Sequence, residues 1–317
     1  MAEHEEEARV VADVERFVEM THQVGGHATA KTSLKSYGGK ILKPFQNKRR
    51  GEREHEFYEQ VFRTECANPI FEQLRPLIPG YHGMVVIPTG EHGIDEVDAA
   101  STGSESRDGK HLVMDDLTWG RHWPCIMDVK VGTRSYEDGA SAEKIAYEKQ
   151  KFPLQERVGF RIQGIKVFDP AHQQYIELDK HFGRQVRSQE DLIPAFGKFF
   201  TTHEGDKRKN IVLLKAFLLH LELLRAWFDE QQELEFIASS LLFLYNGEID
   251  DSALQNADGA DDGDDSALAS ALAGDIRLID FAHVTRRPSD ALERDEGVRK
   301  GIRTIIHCFQ ELLKQLQ

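Results

Sequence analysis

Hydrophobic and polar residues alternate along one short stretch near the middle of the chain. In residues 124–133, two valines alternate with Asp128 and Lys130, and a glycine ends the run. This is the pattern of a short strand that leaves a turn. Side chains repeat every second residue in a strand, so Asp128 and Lys130 are predicted to project from one face.

Other stretches also have the alternating or continuously apolar character of strands. They are residues 84–88, 111–118, 159–168, 236–245 and 277–284. Two segments near the start of the chain, 22–27 and 37–46, are predicted as strands, with a turn at Gly38–Gly39. The segment 111–118 runs on into a linker just before the strand that carries Asp128.

Helical periodicity marks a second set of segments. Ser141 is a suitable N-cap for a helix that reaches Phe152, and Pro153 stops it. Lys144 and Lys151 lie two turns apart on this helix and share a face, which Lys149 does not. Further helices are predicted at residues 3–20, from residue 50, and at 189–200, 211–231 and 295–316.

The most apolar run, 211–228, is hydrophobic nearly all round but contains Lys215, Glu222 and Arg225. A bilayer would penalise these charges, so the run is predicted to be a core helix of a soluble protein and not a membrane span. The first 20 residues are acidic and lack a signal peptide's apolar core. Three widely spaced cysteines fit a reducing compartment, and an intracellular location in cytoplasm or nucleus is expected.

Charge is distributed unevenly over the 317 residues. The net charge is -14, of which residues 1–20 contribute -5 and residues 248–265 contribute -8. The rest of the chain is therefore near neutral and free to hold a local basic site. Residues 89–110 are a polar, glycine- and serine-rich loop, and the acidic tract 248–274 is predicted to be a disordered loop.

Four motifs carry a family resemblance. The run Pro-x-x-x-Asp-x-Lys-x-Gly at 124–132 resembles the signature of the inositol polyphosphate kinases, and Ile-Asp-Phe-Ala-His at 279–283 resembles the family's metal-binding segment. Without this resemblance, Asp128 and Lys130 could equally form a plain surface ion pair, which contributes little stability. The motifs Glu-Lys-Ile at 143–145 and Lys-Phe-Pro at 151–153 resemble the substrate helix of the multikinase branch.

The resemblance implies a two-lobed α+β kinase-like fold (ATP-grasp and protein-kinase-like) with antiparallel sheets and flanking helices. The parts of this fold are expected in the following order along the chain. An acidic segment (1–20) precedes an ATP-binding lobe (21–116) and a C-terminal lobe (117–317), which contains the inositol phosphate-binding helix 141–152 and the acidic loop 248–274. Neither a His-Arg-Asp catalytic loop nor a glycine-rich loop of protein kinase spacing is present in the sequence.

The resemblance also implies an ATP site. Lys43, with Glu54 as its partner, would lie against the nucleotide phosphates, although such a pair could also merely tie two elements together. The Asp115 carbonyl and the Leu117 amide would meet the adenine edge. Asp128 would hold the ribose.

The remaining implied roles concern the metal and the substrate. Asp280 would bind Mg²⁺, and Lys130 would lie between the transferred phosphate and the inositol substrate. Lys144, Lys151 and His283 would hold the inositol phosphates, for which flexible ammonium groups are well suited. The residues themselves identify no certain general base.

The activity implied is transfer of the ATP γ-phosphate to hydroxyls of inositol tris- and tetrakisphosphates. The protein is expected to be a monomer with no membrane span and no nucleic-acid partner. Only 34 residues separate Gly132 from Val167. This is too few for the large insertion of the 1,4,5-trisphosphate 3-kinase branch, so the short separation favours the multikinase branch. Two alternatives remain open. They are a hexakisphosphate kinase that makes inositol pyrophosphates, and a non-catalytic scaffold of kinase shape.

Overall fold

The computed structural model describes residues 16–24, 33–47, 49–63, 68–87, 109–200, 207–248 and 266–317. These residues form two five-stranded sheets and a two-stranded sheet, all with antiparallel pairing. Among them, no helix combines the length and the apolar character that a membrane crossing requires.

The first sheet is built from the early part of the chain. Its strands are β1 (Val18–Glu19), β2 (Lys35–Tyr37), β3 (Lys40–Pro44), β4 (Tyr81–Val86) and β5 (Lys110–Asp115), in the order β1-β2-β3-β5-β4. Gly38 and Gly39 both have positive φ values and make the predicted turn between β2 and β3. Helix α1 (Arg50–Phe62) packs against β4, where the rings of Tyr58 and Tyr81 stack at 5.2 Å.

The second sheet has the predicted signature strand at its centre. Its strands are β6 (Pro124–Val131), β7 (Phe160–Asp169), β8 (Gln174–Leu178), β10 (Ser240–Asn246) and β11 (Asp275–Ile279), in the order β11-β10-β6-β7-β8. The short strands β9 (Leu234–Phe236) and β12 (Val284–Arg286) pair separately. Because β6 has a neighbour on each side, its side chains are fixed by both β7 and β10.

The helices after α1 lie mostly around the second sheet. They are α2 (Pro69–Leu74) with a 3₁₀ turn (Arg75–Leu77), α3 (Ala142–Lys151), α4 (Gln155–Val158), α5 (Lys180–Gln185), α6 (Leu192–Gly197), α7 (Lys207–Glu230), α8 (Ser266–Leu272) and α9 (Glu296–Leu316). Helices α7 and α9 pack together, and Phe217, Phe243 and Phe309 meet between them and the sheet. Burial of such aromatic rings is a main source of core stability.

Two sequence predictions about early and central segments are corrected. The helix predicted at 3–20 does not reach its end, because Val18–Glu19 pair with β2 as a strand. Residues 3–15 of that prediction lie outside the described residues, as do 25–27 of the predicted strand 22–27, whose residues 22–24 are not in a strand. Helix α7 is not apolar core all round, since Leu219 and Leu223 are 63% and 52% exposed.

The predicted disordered loop at 248–274 is wrong for its last part. Residues 266–272 form helix α8, and Leu268 and Leu272 are buried against α7. Asn246 donates a hydrogen bond to the Ala271 carbonyl at 2.7 Å, which ties α8 to β10. Residues 249–265 lie outside the described residues, as do 89–108 of the predicted polar loop, and Lys110 already belongs to β5.

Candidate active site

The central strand β6 presents Asp128 and Lys130 on the same face. Strand alternation places them there, and the flanking residues of β6 are almost all buried. Asp128 is only 6% exposed. The Lys130 ammonium donates a hydrogen bond to the Ala238 carbonyl at 2.9 Å, in the left-handed turn (Ala238 φ 59°) between β9 and β10. The two candidate residues are therefore held by the sheet and not by a surface ion pair.

A second cluster joins the two large sheets. Lys43 of β3 donates from its ammonium to Glu54 Oε1 of α1 and to Asp280 Oδ1, each at 2.7 Å. Glu54 is buried and also accepts from the Phe281 amide at 3.2 Å. Because Asp280 directly follows β11, these contacts bring the first sheet, α1 and the end of the second sheet to one point.

The charges of this cluster support one another. Burial opposes the positive charge of Lys43, but the carboxylates of Asp280 and Glu54 outweigh it and raise the pKa of Lys43. Burial also favours neutral Asp280, yet the ammonium groups of Lys43 and Lys130 hold the pKa of Asp280 below its ordinary value. Lys43 and Asp280 are therefore both ionised at neutral pH.

Asp128 has a different electrostatic setting. Burial, followed by the negative charge of Asp280, raises the pKa of Asp128 to about 7. Its Oδ1 atom is buried and has no hydrogen-bond partner among the described residues. Burial lowers the pKa of Lys130, because it disfavours the charged ammonium. A buried carboxylate oxygen without a donor is costly, and ligand hydroxyl groups would satisfy it.

The linker between the sheets follows β5, as predicted. The Asp115 side chain faces β4, where it accepts from the Gly80 amide at 3.1 Å and contacts His82 at 2.7 Å. The hydrogen bond from His82 lowers the pKa of Asp115. Leu117 begins the turn at 117–120, and the preceding Asp116 amide donates to the Gly39 carbonyl at 2.8 Å. The backbone of the linker is thus fixed against the β2–β3 turn.

Helix α3 carries the two candidate substrate lysines. Ser141 caps it by accepting from the Lys144 amide at 3.2 Å, as the sequence predicted. Lys144 is exposed, whereas the Lys151 ammonium lies 2.5 Å from Glu148 and 4.2 Å from the centre of the Tyr147 ring. Lys144 is therefore open to an incoming anion, and Lys151 is held in place by its neighbours.

His283 lies just beyond Asp280, and a carboxylate contacts it. Its Nδ1 atom is 3.0 Å from Glu137 Oε1, in the loop between β6 and α3. Arg53 of α1 donates to the same oxygen at 2.6 Å. Sequence reasoning selected His283 but missed Glu137, which carries no motif of its own.

Arg161 of β7 is a second residue that sequence reasoning missed. It pairs in register with Lys130 across the sheet and is 5% exposed, yet its Nε and one terminal nitrogen have no hydrogen-bond partner among the described residues. Buried guanidinium groups are normally paired, so an unsatisfied one beside the signature strand marks a place for an anion. The available signal was a charged residue within the alternating run 159–168.

The donor set fits a metal that is shared with a phosphate ligand. Within the described ranges, no three or more His, Cys, Asp and Glu side chains are grouped as a metal cage. Mg²⁺ commonly uses only one or two carboxylates and takes the rest of its oxygens from water and substrate phosphates. Asp280, with its ionised carboxylate beside Lys43, suits this arrangement.

A lysine paired with a helical glutamate, set against an aspartate at the end of a second antiparallel sheet, is the arrangement that kinases use to bind nucleotide phosphates. A sequence model described as inositol polyphosphate kinase matches residues 111–310. The chain therefore belongs to the inositol polyphosphate kinase family, and the predicted family and α+β fold are confirmed.

Named relatives agree with this assignment. The inositol polyphosphate multikinase of Mus musculus is 36% identical over 234 residues, which cover 73% of this chain and 54% of that protein. The chain thus spans about half the length of this relative. The inositol polyphosphate multikinase beta of Arabidopsis thaliana is 30% identical over 281 residues, with 83% of each chain covered.

A solved structure is similar over nearly the whole chain. It is the crystal structure of the inositol phosphate multikinase Ipk2 of S. cerevisiae in complex with ADP and Mn²⁺. The TM-score is 0.62 at 26% identity, and the match covers 87% of this chain and 100% of that chain.

Proposed function

We propose that this protein is an ATP-dependent inositol polyphosphate kinase of the multikinase type, which transfers the γ-phosphate to hydroxyls of inositol tris- and tetrakisphosphates. The observation that carries the proposal is the contact of Lys43 with Asp280 at 2.7 Å, between the first sheet and the end of the second. Phosphoryl transfer depends mainly on positioning and on charge neutralisation, which this cluster can supply.

In this proposal, the nucleotide lies between the two sheets. Lys43, kept in place by Glu54, neutralises charge on the ATP phosphates. The Asp115 carbonyl and the Leu117 amide meet the adenine edge, and Asp128 accepts hydrogen bonds from the ribose hydroxyls. The unsatisfied Oδ1 of Asp128 and the ADP bound in the similar yeast structure support these roles.

The proposal includes a divalent metal on Asp280. Mg²⁺ held there together with the nucleotide phosphates would supply further charge neutralisation. The similar yeast structure contains Mn²⁺, which supports a divalent metal in this family. The preference for Mg²⁺ rests on the sequence resemblance.

The inositol phosphate would bind on the side of Lys130 that is opposite the nucleotide. Lys130 would contact the phosphoryl group as it passes to the substrate hydroxyl, and Lys144, Lys151 and His283 would hold the phosphates already present. Arg161 lies beside Lys130 in the sheet, and two of its guanidinium nitrogens have no hydrogen-bond partner among the described residues, so we assign it a phosphate contact as well. Intracellular location, monomeric state and independence from nucleic acid remain predictions from the sequence.

Incubation of the purified protein with ATP, Mg²⁺ and a panel of inositol phosphates, followed by separation of the products, tests the proposal. We expect a trisphosphate to be carried through tetrakis- to pentakisphosphate by the one enzyme. Activity on hexakisphosphate alone would instead support a pyrophosphate-forming kinase. Absence of Mg²⁺-dependent ATP turnover would support the scaffold alternative.

A further inference from the structure

The loop between β6 and α3 is rigidly attached at several points. The Gly132 amide donates to the Gly159 carbonyl at 2.8 Å, and Gln155 donates to the Gly132 carbonyl at 3.0 Å. Arg134 donates to Glu235 of β9 at 2.9 Å. A carboxylate carried by this loop therefore has a defined position relative to the second sheet.

Glu137 is that carboxylate, and it serves two partners with one oxygen. Its Oε1 lies 2.6 Å from Arg53 of α1 and 3.0 Å from His283 Nδ1. Its side chain is 31% exposed. Burial alone would raise the pKa of Glu137, but His283 and Arg53 together hold that pKa below its ordinary value. Glu137 is therefore ionised and acts only as a hydrogen-bond acceptor.

A hydrogen-bond acceptor at one ring nitrogen of a neutral histidine places the proton on that nitrogen and leaves the other nitrogen unprotonated. With Glu137 at Nδ1, neutral His283 carries its proton on Nδ1, and Nε2 is the nitrogen left for a ligand. The same carboxylate also fixes the plane of the ring. The ring therefore keeps one orientation in both of its protonation states.

Arg53 extends this arrangement to α1. The adjacent residue, Glu54, contacts Lys43 and the Phe281 amide. Two consecutive residues of one helix thus hold two neighbouring parts of the site, one through Lys43 and Asp280, the other through Glu137 and His283.

We propose that Glu137 is a positioning residue that fixes the tautomer and ring orientation of His283 and aligns it with α1. The proposal rests on the proposed function for the statement that His283 contacts the inositol substrate. The hydrogen bond between Glu137 and His283 Nδ1 does not depend on that function.

The first experiment reads the tautomer directly. In ¹⁵N-labelled protein, the ring nitrogen shifts of His283, assigned by their loss in His283→Gln, should show a proton on Nδ1 in the neutral form. In Glu137→Ala, the Nδ1 preference should be lost. Glu233→Ala is the matched control, since Glu233 is 29% exposed and pairs with Arg286 instead. An unchanged tautomer in Glu137→Ala would overturn the proposal.

The second experiment measures the steady-state kinetics of the variants. Glu137→Ala should lower kcat/KM for the inositol substrate about tenfold, with the KM for ATP changed less than about twofold. Glu137→Gln, whose side-chain carbonyl can still accept from Nδ1, should recover part of the loss. Equal losses in Glu137→Ala and Glu233→Ala would also overturn the proposal. If the wild type has no kinase activity, the proposed function fails, while the tautomer result still decides the role of Glu137.

Discussion

Asp280 combines an uncommon backbone conformation with a central contact. Its φ of 67° lies in the left-handed region, and its carbonyl accepts from the Ser239 hydroxyl at 2.8 Å. Among residues other than glycine, Asp and Asn adopt this conformation most readily. The turn therefore suits an aspartate, and the carboxylate it presents meets Lys43.

The substitution Asp280→Asn tests the carboxylate without disturbing the turn. Asparagine keeps the left-handed backbone, but a neutral amide binds a divalent metal poorly. We expect turnover to fall at least about 1,000-fold in a variant that still folds but unfolds at a lower temperature, because the Lys43 ammonium loses one of its two carboxylate partners. The measurement is the initial rate as a function of Mg²⁺ concentration. Near-normal rates with unchanged metal dependence would rule out Asp280 as the ligand.

Asp128 makes stability depend on pH. Its pKa of about 7 in the folded protein lies above its ordinary value, so the folded state binds this proton more tightly than the unfolded chain does. This stabilising contribution is complete at acidic pH, below the ordinary pKa of an aspartate, and it is lost as pH rises through about 7.

Asp128→Asn removes this titration because asparagine resembles the protonated acid. The free energy of unfolding of the variant, relative to that of the wild type, should therefore rise between about pH 4 and about pH 7, by at most about 4 kcal/mol in total. Urea unfolding of both proteins at several pH values measures it. A constant difference across this range would contradict the raised pKa.

Single residues outside a motif were the hardest to predict. Lys43, Glu54 and Asp280 were selected together by resemblance, and the structure places them in contact. Arg161 and Glu137 were not selected, because their significance arises only from their neighbours. Burial of Arg161 follows from its register with Lys130, and the importance of Glu137 follows from the approach of Arg53 and His283. Sequence spacing contains neither fact.

At the scale of elements, α3 offers a controlled test of substrate binding. Lys144→Ala combined with Lys151→Ala should raise the KM for every inositol substrate about tenfold or more, and salt should weaken the effect. The KM for ATP should barely change. Lys149→Ala is the control on the same helix, since Lys149 is 55% exposed and lies 3.7 Å from Glu156. An equal effect of the control would show that only the net charge of α3 matters.

Helix α8 (Ser266–Leu272) should be sensitive to change, whereas the preceding residues 250–264 should not, although the sequence alone places both in one acidic loop. Removing residues 250–264 behind a short Gly/Ser link should change the free energy of unfolding by less than about 1 kcal/mol, because loop length has a weak effect on closure entropy. Leu268→Ala or Leu272→Ala should each cost about 2–5 kcal/mol, since both side chains are buried. Urea unfolding compares them. An unchanged free energy of unfolding in Leu268→Ala, or a large loss of it on deletion of residues 250–264, would contradict this prediction.

The elements that the sequence predicted well are those with a complete local signal. The turn at Gly38–Gly39, the capped helix α3 and the apolar stripe of α9 each have one. Helix α8 lacks it, because its Ser, Ala and Leu residues follow an acidic, low-complexity tract. Its formation depends on packing of Leu268 and Leu272 on α7, which a local pattern does not reveal.

At the scale of the whole molecule, each large sheet holds part of the candidate site. The first sheet contributes Lys43, and the second contributes Asp128 and Lys130 on its central strand and Asp280 at the end of β11. The sequence predicted strands in both sheets but not their order. The pairing of β6 with β10 joins strands that are more than 100 residues apart in the chain, and no local rule specifies such a pairing.

The contact between Lys43 and Asp280 joins residues 237 positions apart, which has a consequence for biosynthesis. A ribosome adding about 5–20 residues per second makes Lys43 many seconds before it makes Asp280. The first sheet must therefore fold, or be protected from aggregation, without the ion pair that later completes the site. Under the proposed function, nascent chains stalled before residue 275 should show no nucleotide-dependent protection from proteolysis, while the 317-residue chain should. Under the proposed function, nucleotide therefore stabilises the protein only after Asp280 has been synthesised.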